Sequence, residues 1–342
     1  MDAPSVSAYT HMQLLPAGYR LQEVLAFHQR DQQQVAEKVS YQCGGAVCLY
    51  KALDWGGLPA WMDMTWLPVR AGAPAGAWQV QARLQVLSDA ERSFPVAQQD
   101  SVPQEALWAA TVHRMLGLTH PPHPLEAAHR LHPVLGPLLQ RQQGLHVPAA
   151  PTVWEALTWA ITGQQISVAA AVALRRRLVQ AAGTPLQAFH AMEAPALTTY
   201  PSAAQVLQLG TAGLRDAGYS QSKARALLML AEAVAHGALP LAQWQQANDA
   251  GQLDAEAVES ITRQLLAVPG IGPWTVHYTL LRGLGWPDGS LHGDVAVRKA
   301  LAQLLQVERV SESEARQWLA AFAPWRALVA AHLWASLSKQ AY

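Results

Sequence analysis

From Val153 to the C-terminus, apolar residues recur at helical spacing, and Gly or Pro stands between most neighbouring segments. A chain punctuated this way folds as a succession of helices joined by tight turns. The spacing predicts helices over Trp154–Ala181 (bent near Gly163), Ala203–Leu209, Ser222–His236, Ala255–Ala267, Pro273–Leu284, Val295–Leu305, Glu312–Phe322 and Trp325–Lys339. The first hundred residues differ. Ala46–Asp54, Ala60–Pro68 and Trp78–Ser88 are short β-branched and aromatic runs, separated by Gly56-Gly57 and by Ala71–Gly76. That pattern predicts a small antiparallel sheet. A helix is expected before it at Leu21–Val39 and after it at Pro103–Leu116, and breaker clusters at Thr119–Pro124 and Leu145–Thr152 follow. The fold class is α+β. An N-terminal mixed α/β domain is expected over 1–118, and a mostly helical region of two subdomains over 119–342.

Bulk composition narrows the function only a little. At 342 residues the chain exceeds one usual core, and 51% hydrophobic against 14% charged residues favours folded over disordered structure. Formal net charge is zero, and from residue 151 onward 14 Lys/Arg face 13 Asp/Glu. Net charge therefore gives no support for a nucleic-acid partner, and any such grip must be local. Cys43 and Cys48 are the only cysteines, so a cluster held by four thiolates is excluded and a structural zinc lacks ligands. His11, His120, His123, His129 and His132 have no metal-site spacing, and no metal is expected. The N-terminus lacks a signal pattern, and no run of about 18 apolar residues suggests a membrane span. A cytoplasmic protein with no membrane association is expected.

The segment richest in chemistry is Pro269-Gly270-Ile271-Gly272-Pro273. Two glycines permit a tight turn, and Pro273 suits the first turn of the next helix. The turn, with the N–H groups of Ile271 and Gly272 and the helix dipole, would face an anion such as a phosphate. Leu266, Val268 and Ile271 are the residues expected to lock the two helices together. The same turn also occurs as a purely structural element. Asp294 stands 24 residues after Gly270, at the start of the helix Val295–Leu305. Asp is a favoured N-cap, and a capping carboxylate is also the anion that a positively charged sugar needs beside it.

These residues resemble the helix-hairpin-helix DNA glycosylases, and more closely the DNA-3-methyladenine glycosylase II family. Three further segments carry the resemblance: Trp154–Leu174 with its Gly-Gln motif, Gly218–Ala231, and Phe322–Trp334. The match runs over roughly residues 120–340, with the hairpin at 265–275. The resemblance implies a mostly helical helix-hairpin-helix glycosylase body with a small N-terminal antiparallel-sheet domain. It implies base excision repair by a base-flipping enzyme that cleaves alkylated purines of the 3-methyladenine and 7-methylguanine type from damaged double-stranded DNA. Asp294 falls at the position of the catalytic acid, and Trp274, Tyr278 and Trp334 at positions lining the base pocket. An alkylated purine is electron-poor and stacks well on aromatic faces. Gln164 and Gln165 match the segment that probes the gap left by the flipped base, and Gly270, Ile271 and Gly272 the DNA grip. Gln165 is polar where an apolar wedge can stand, and His292-Gly293 stand where some relatives carry a second acid.

In bifunctional relatives a Lys follows the hairpin and attacks the sugar. Trp274 occupies that place here, so a monofunctional hydrolase is expected. No cofactor and no iron–sulfur cluster are implied. A monovalent cation at the hairpin carbonyls is implied by similar proteins. Arg215, Lys223, Arg225, Arg282 and Arg298 are candidates for a phosphate-contacting patch, or else a solvated helix surface. A monomer is expected. Two alternatives stay open: a glycosylase for deaminated, etheno or oxidised purines on the same scaffold, and a non-catalytic DNA-binding helix-hairpin-helix protein.

Overall fold

The computed structural model describes residues 5–69, 77–88, 103–187 and 195–337. Strand β1 (Ser5–Leu14) and helix α1 (Leu21–His28) open the chain, followed by β2 (Glu37–Tyr41), β3 (Val47–Trp55), β4 (Leu58–Pro68) and β5 (Trp78–Ser88). Helices α2 (Gln104–Met115), α3 (His123–His129), α4 (Leu135–Arg141), α5 (Val153–Gly163) and α6 (Val168–Ala182) come next. The two-residue strands β6 (Pro185–Leu186) and β7 (Leu197–Thr198) pair before α7 (Ala203–Asp216), α8 (Gln221–Ala235), α9 (Leu241–Asp249) and α10 (Ala255–Leu266). Finally come α11 (Pro273–Leu284), α12 (Val295–Leu305), α13 (Glu312–Ala320) and α14 (Arg326–Ser336). No helix among the described residues is long and apolar enough to cross a membrane. The expected turn at Ala71–Gly76 and the end of the Trp325–Lys339 helix lie outside the described residues.

The chain folds as two compact units, each discontinuous in sequence. One gathers 1–17, 28–112 and 169–238, and so draws on both sides of the 118/119 division read from the sequence. Its antiparallel sheet has the order β1-β5-β4-β3-β2. Gly56 and Gly57, both at positive φ, turn β3 into β4, and the Asp54 carboxylate accepts from the Gly57 N–H at 3.0 Å. Ala60, Met62, Met64 and Trp66 of β4 lie opposite Val86, Leu84, Ala82 and Val80 of β5, all buried. On the other face Trp61 and Ala52 pack under Leu186 and Leu197. Glu37 pins β2 to β3 and α6, accepting from Lys51 at 2.9 Å and His28 at 3.0 Å and pairing with Arg175 at 3.2 Å. Burial alone would raise its carboxyl, but Lys51 and Arg175 carry it well below the usual range.

One expectation is corrected here, and one element is added. The helix over Leu21–Val39 stops at His28. The Asp31 carboxylate accepts from the N–H of Gln33 and Val35 and from Arg176, Gln34 turns at φ 54, and the chain enters β2 with Val39 opposite Leu49. The N-terminal segment, to which no element was given, is a full edge strand paired with β5 from Ser5↔Ser88 to Leu14↔Gln79.

The second unit gathers 18–27, 113–168 and 239–342. Its core holds Leu291, Val297, Leu301, Leu319, Phe322, Val329 and Leu333, with Leu135 and Leu139 of α4. Helices α5 and α11 approach closely at Gly283, where a Cβ would lie 3.2 Å from that of Ala156. Thr152 caps α5 through the Glu155 N–H, and Ser311 and Glu314 form a reciprocal capping box on α13. The long helix expected over Trp154–Ala181 is broken after Gly163. Gln165 sits at φ 58, and α6 restarts at Val168.

Candidate active site

The hairpin joins α10 to α11. Leu265, fully buried, faces inward with Val268 and Ile271, while Leu266 is 42% exposed. The expected apolar contact is thus one residue out of phase. Gly270 turns at φ 91, and the Ile271 N–H donates to the Val268 carbonyl at 3.1 Å. Ile271 is therefore consumed by the turn itself and does not offer its N–H outward. Gly272 is the N-cap of α11 and supplies no side-chain cap, and a Cβ added there would meet nothing within 4 Å. The first-turn donors of α11 are thus left uncapped by side chains at an open glycine. Gln164 is turned inward: its Nε2 donates to the Gly270 carbonyl at 3.0 Å and to Thr275 Oγ1 at 2.9 Å. It braces the hairpin, and the exposed residue beside it is Gln165. The Val268 and Gly270 carbonyls of the turn each accept a hydrogen bond, from the Ile271 N–H and from Gln164 Nε2.

Asp294 lies at the head of α12, where Oδ1 accepts from the Val297 N–H at 2.9 Å. Trp274, in the first turn of α11, donates its indole N–H to Oδ2 at 2.8 Å. Trp334 of α14 donates to Oδ1 at 3.2 Å. Tyr278 neighbours both rings, with centroids 5.4 Å from Trp274 and 6.1 Å from Trp334. The four residues are brought together from two helices, α11 and α14, and the N-cap of a third, within one unit. The arrangement is a carboxylate set beside an aromatic group, one helix away from a bare hairpin.

The loop before Asp294 is tied down twice, and neither tie was legible in the sequence. The Asp288 carboxylate accepts from the Arg326 backbone N–H at 3.2 Å and from its Nε at 2.7 Å, capping α14 from outside. His292 lies 2.8 Å from Ser290 Oγ through Nδ1 and accepts from Arg316 Nε at 3.2 Å through Nε2. Burial, then Arg316, lowers its imidazole. His277, on α11, is pushed down to about 4 by burial, then by Arg326 and His292.

The expected cationic patch is corrected at two positions. Arg282 is 2% exposed, donates to the Pro148 carbonyl at 2.7 Å, and lies 4.9 Å from the Phe27 ring and 5.5 Å from that of Trp334. Lys223 is buried in the first unit at the start of α8, and burial lowers its ammonium. A cation on a helix is placed by which stripe it falls on, and these two fall on the inner one. Arg215 and Arg225 are exposed in the first unit, and Arg298 is half-buried one turn beyond Asp294.

A family model described as the HhH-GPD superfamily base excision DNA repair protein matches residues 158–324. The chain is 30% identical over 234 residues to a probable bifunctional transcriptional activator/DNA repair enzyme AlkA of Mycobacterium tuberculosis, covering 67% of this chain and 42% of that protein. It is 28% identical over 200 residues to DNA-3-methyladenine glycosylase 2 of Escherichia coli, covering 58% of this chain and 63% of that protein. The chain thus spans less than two thirds of the length of both. Among solved structures, the 3-methyladenine DNA-glycosylase from Archaeoglobus fulgidus superposes with a TM-score of 0.66 at 19% identity, over 94% of this chain and 96% of that one. At that identity the likeness is one of fold.

Proposed function

We propose that the chain is an HhH-GPD base excision DNA repair protein and, more finely, a monofunctional DNA glycosylase that flips alkylated purines out of duplex DNA and excises them. The observation that carries this reading is the convergence of Trp274, Tyr278 and Trp334 on the Asp294 carboxylate. A binding module needs the hairpin but neither the acid nor the aromatic set.

In this reading the bare start of α11 takes a backbone phosphate next to the lesion, which positions the strand without reading sequence. Gln165 faces the gap in the duplex, while Gln164 keeps the hairpin in shape. The extruded base lies against the aromatic rings, where an electron-poor or cationic purine stacks favourably. As the glycosidic bond breaks, positive charge gathers on the sugar and Asp294 stabilises it. An already cationic base leaves without help from a general acid. Trp274 stands where a sugar-attacking Lys would be, so water is the final acceptor and the strand stays intact. A monovalent cation at the turn would strengthen the phosphate grip.

Base release from methylated duplex DNA tests the reading. The native chain should free 3-methyladenine or 7-methylguanine, with strand breaks only after alkali. Asp294→Asn should bind DNA within a few-fold of native affinity and release base at least 100-fold more slowly, on the order of the loss of one electrostatic stabiliser. Full activity in that variant would sink the mechanism. Release only from deaminated, etheno or oxidised duplexes would move the substrate class on the same scaffold. Binding without release from any of them would leave a non-catalytic module.

A further inference from the structure

We propose that Trp274 and Trp334 are positioning residues whose indole N–H groups clamp the Asp294 carboxylate in one orientation; this rests on the glycosylase reading above. Three donors reach the carboxylate from three helices. The Val297 N–H and Trp334 Nε1 serve Oδ1 at 2.9 and 3.2 Å, and Trp274 Nε1 serves Oδ2 at 2.8 Å. A carboxylate offers about four acceptor positions, two on each oxygen. Oδ1 is therefore filled, and Oδ2 keeps a single position. That position is the one through which Asp294 meets the sugar or one oriented water.

The clamp is itself held. Tyr278 lies beside both indoles, Trp334 is 6% exposed, and the Arg282 guanidinium backs its ring. Helix α14, which carries Trp334, is fixed at its first residue by Asp288. Turning the Asp294 side chain would break charge-assisted bonds to α11 and α14 together. Lining a base pocket uses the faces of the indoles, and the N–H has no part in it. Holding the acid uses their edges, and without the N–H it fails. The two roles are therefore separable by chemistry that leaves ring shape alone.

Each tryptophan is replaced in turn by Phe and by benzothienylalanine, which keeps the bicyclic shape and puts sulfur where the N–H was. With the N–H removed and ring shape kept, in the benzothienylalanine variants, kcat should fall about tenfold to a hundredfold and KM should stay within about twofold, by the same factor for 3-methyladenine and 7-methylguanine. Native kcat in the benzothienylalanine variants, or losses confined to KM that differ between the two bases, would overturn the clamp. A second readout needs no turnover. In nitrogen-15 indole spectra, Asp294→Asn keeps an oxygen for the Val297 cap but turns an amide donor toward Trp274, so the Trp274 and Trp334 resonances should move while the other indoles stay. Unmoved resonances would overturn the clamp even in an active enzyme. Moved resonances in a chain that releases no base would uphold the clamp and sink the glycosylase reading instead.

Discussion

The side-chain amide of Gln164 holds the carbonyl of Gly270, a residue 106 positions later, at 3.0 Å. The end of α5 thereby sets the shape of a turn between α10 and α11. Because the same amide also reaches Thr275, removing it frees two acceptors at once. Gln164→Ala should cost about 1–2 kcal/mol of stability and weaken duplex binding roughly tenfold, read by urea unfolding and by fluorescence anisotropy. Unchanged affinity would separate the hairpin from DNA binding.

Gly272 offers a cleaner probe of the grip. It sits at φ −105, which other residues adopt, and its Cβ would meet nothing within 4 Å. Gly272→Ala should therefore cost the fold less than about 1 kcal/mol. A phosphate seated on the first-turn donors needs that same space, so affinity should drop about tenfold or more. Native affinity would place the strand elsewhere. Gly270→Ala, by contrast, forces a side chain to φ 91 and should lower stability itself by about 1–3 kcal/mol.

Salt dependence should be shallow for a DNA-binding protein. With Lys223 and Arg282 buried, few of the expected cations are free to meet phosphates. The slope of log K against log salt should be roughly −1 to −3, and Arg298→Ala should reduce its magnitude by about 1. A slope near −6 in titrations from low to moderate salt would require a cationic patch elsewhere on the chain.

Acid should destabilise the second unit before it touches the carboxylates. His277 is pushed down to about 4 and the buried His332 to about 3, burial being the first cause for each. Both values lie below the unfolded imidazole's, so the unfolded chain binds more protons once pH drops under about 6.5. Stability is therefore full above that pH and is lost on descending toward pH 4, on the order of 2 kcal/mol per imidazole. Urea midpoints at pH 7 and pH 5 check the direction, and His277→Gln should flatten the difference.

Where turn chemistry is strong, sequence and structure agree on bounds. Helices α11 and α12 run over the expected residues because Pro273 and Asp294 start them and Gly285, at φ 74, stops the first. The nearness of Trp274, Tyr278 and Trp334 to Asp294 was legible through the family resemblance alone. Elements that depend on a distant partner were not. Strand β2 exists because β3 pairs with it, and β1 because β5 does, and neither fact has a local signature. Burial of Arg282 and Lys223 depends on which helix stripe meets a neighbour, and the one-residue error at Leu265 and Leu266 is the same uncertainty of phase. Gln164 could not be read as a brace, because its partners lie more than a hundred residues away.

The discontinuity of the two units sets an order on synthesis. Trp61 is emerging from the ribosome long before Leu186 and Leu197, which cover it in the finished sheet. At about 5–20 residues per second, that interval of over a hundred residues leaves one sheet face wet for several seconds to half a minute. The second unit waits longer still, since residues 18–27 are made well before α14. Until Leu186 and Leu197 arrive, that apolar face is open to water, so the yield of folded protein should respond to translation speed more than its final stability suggests.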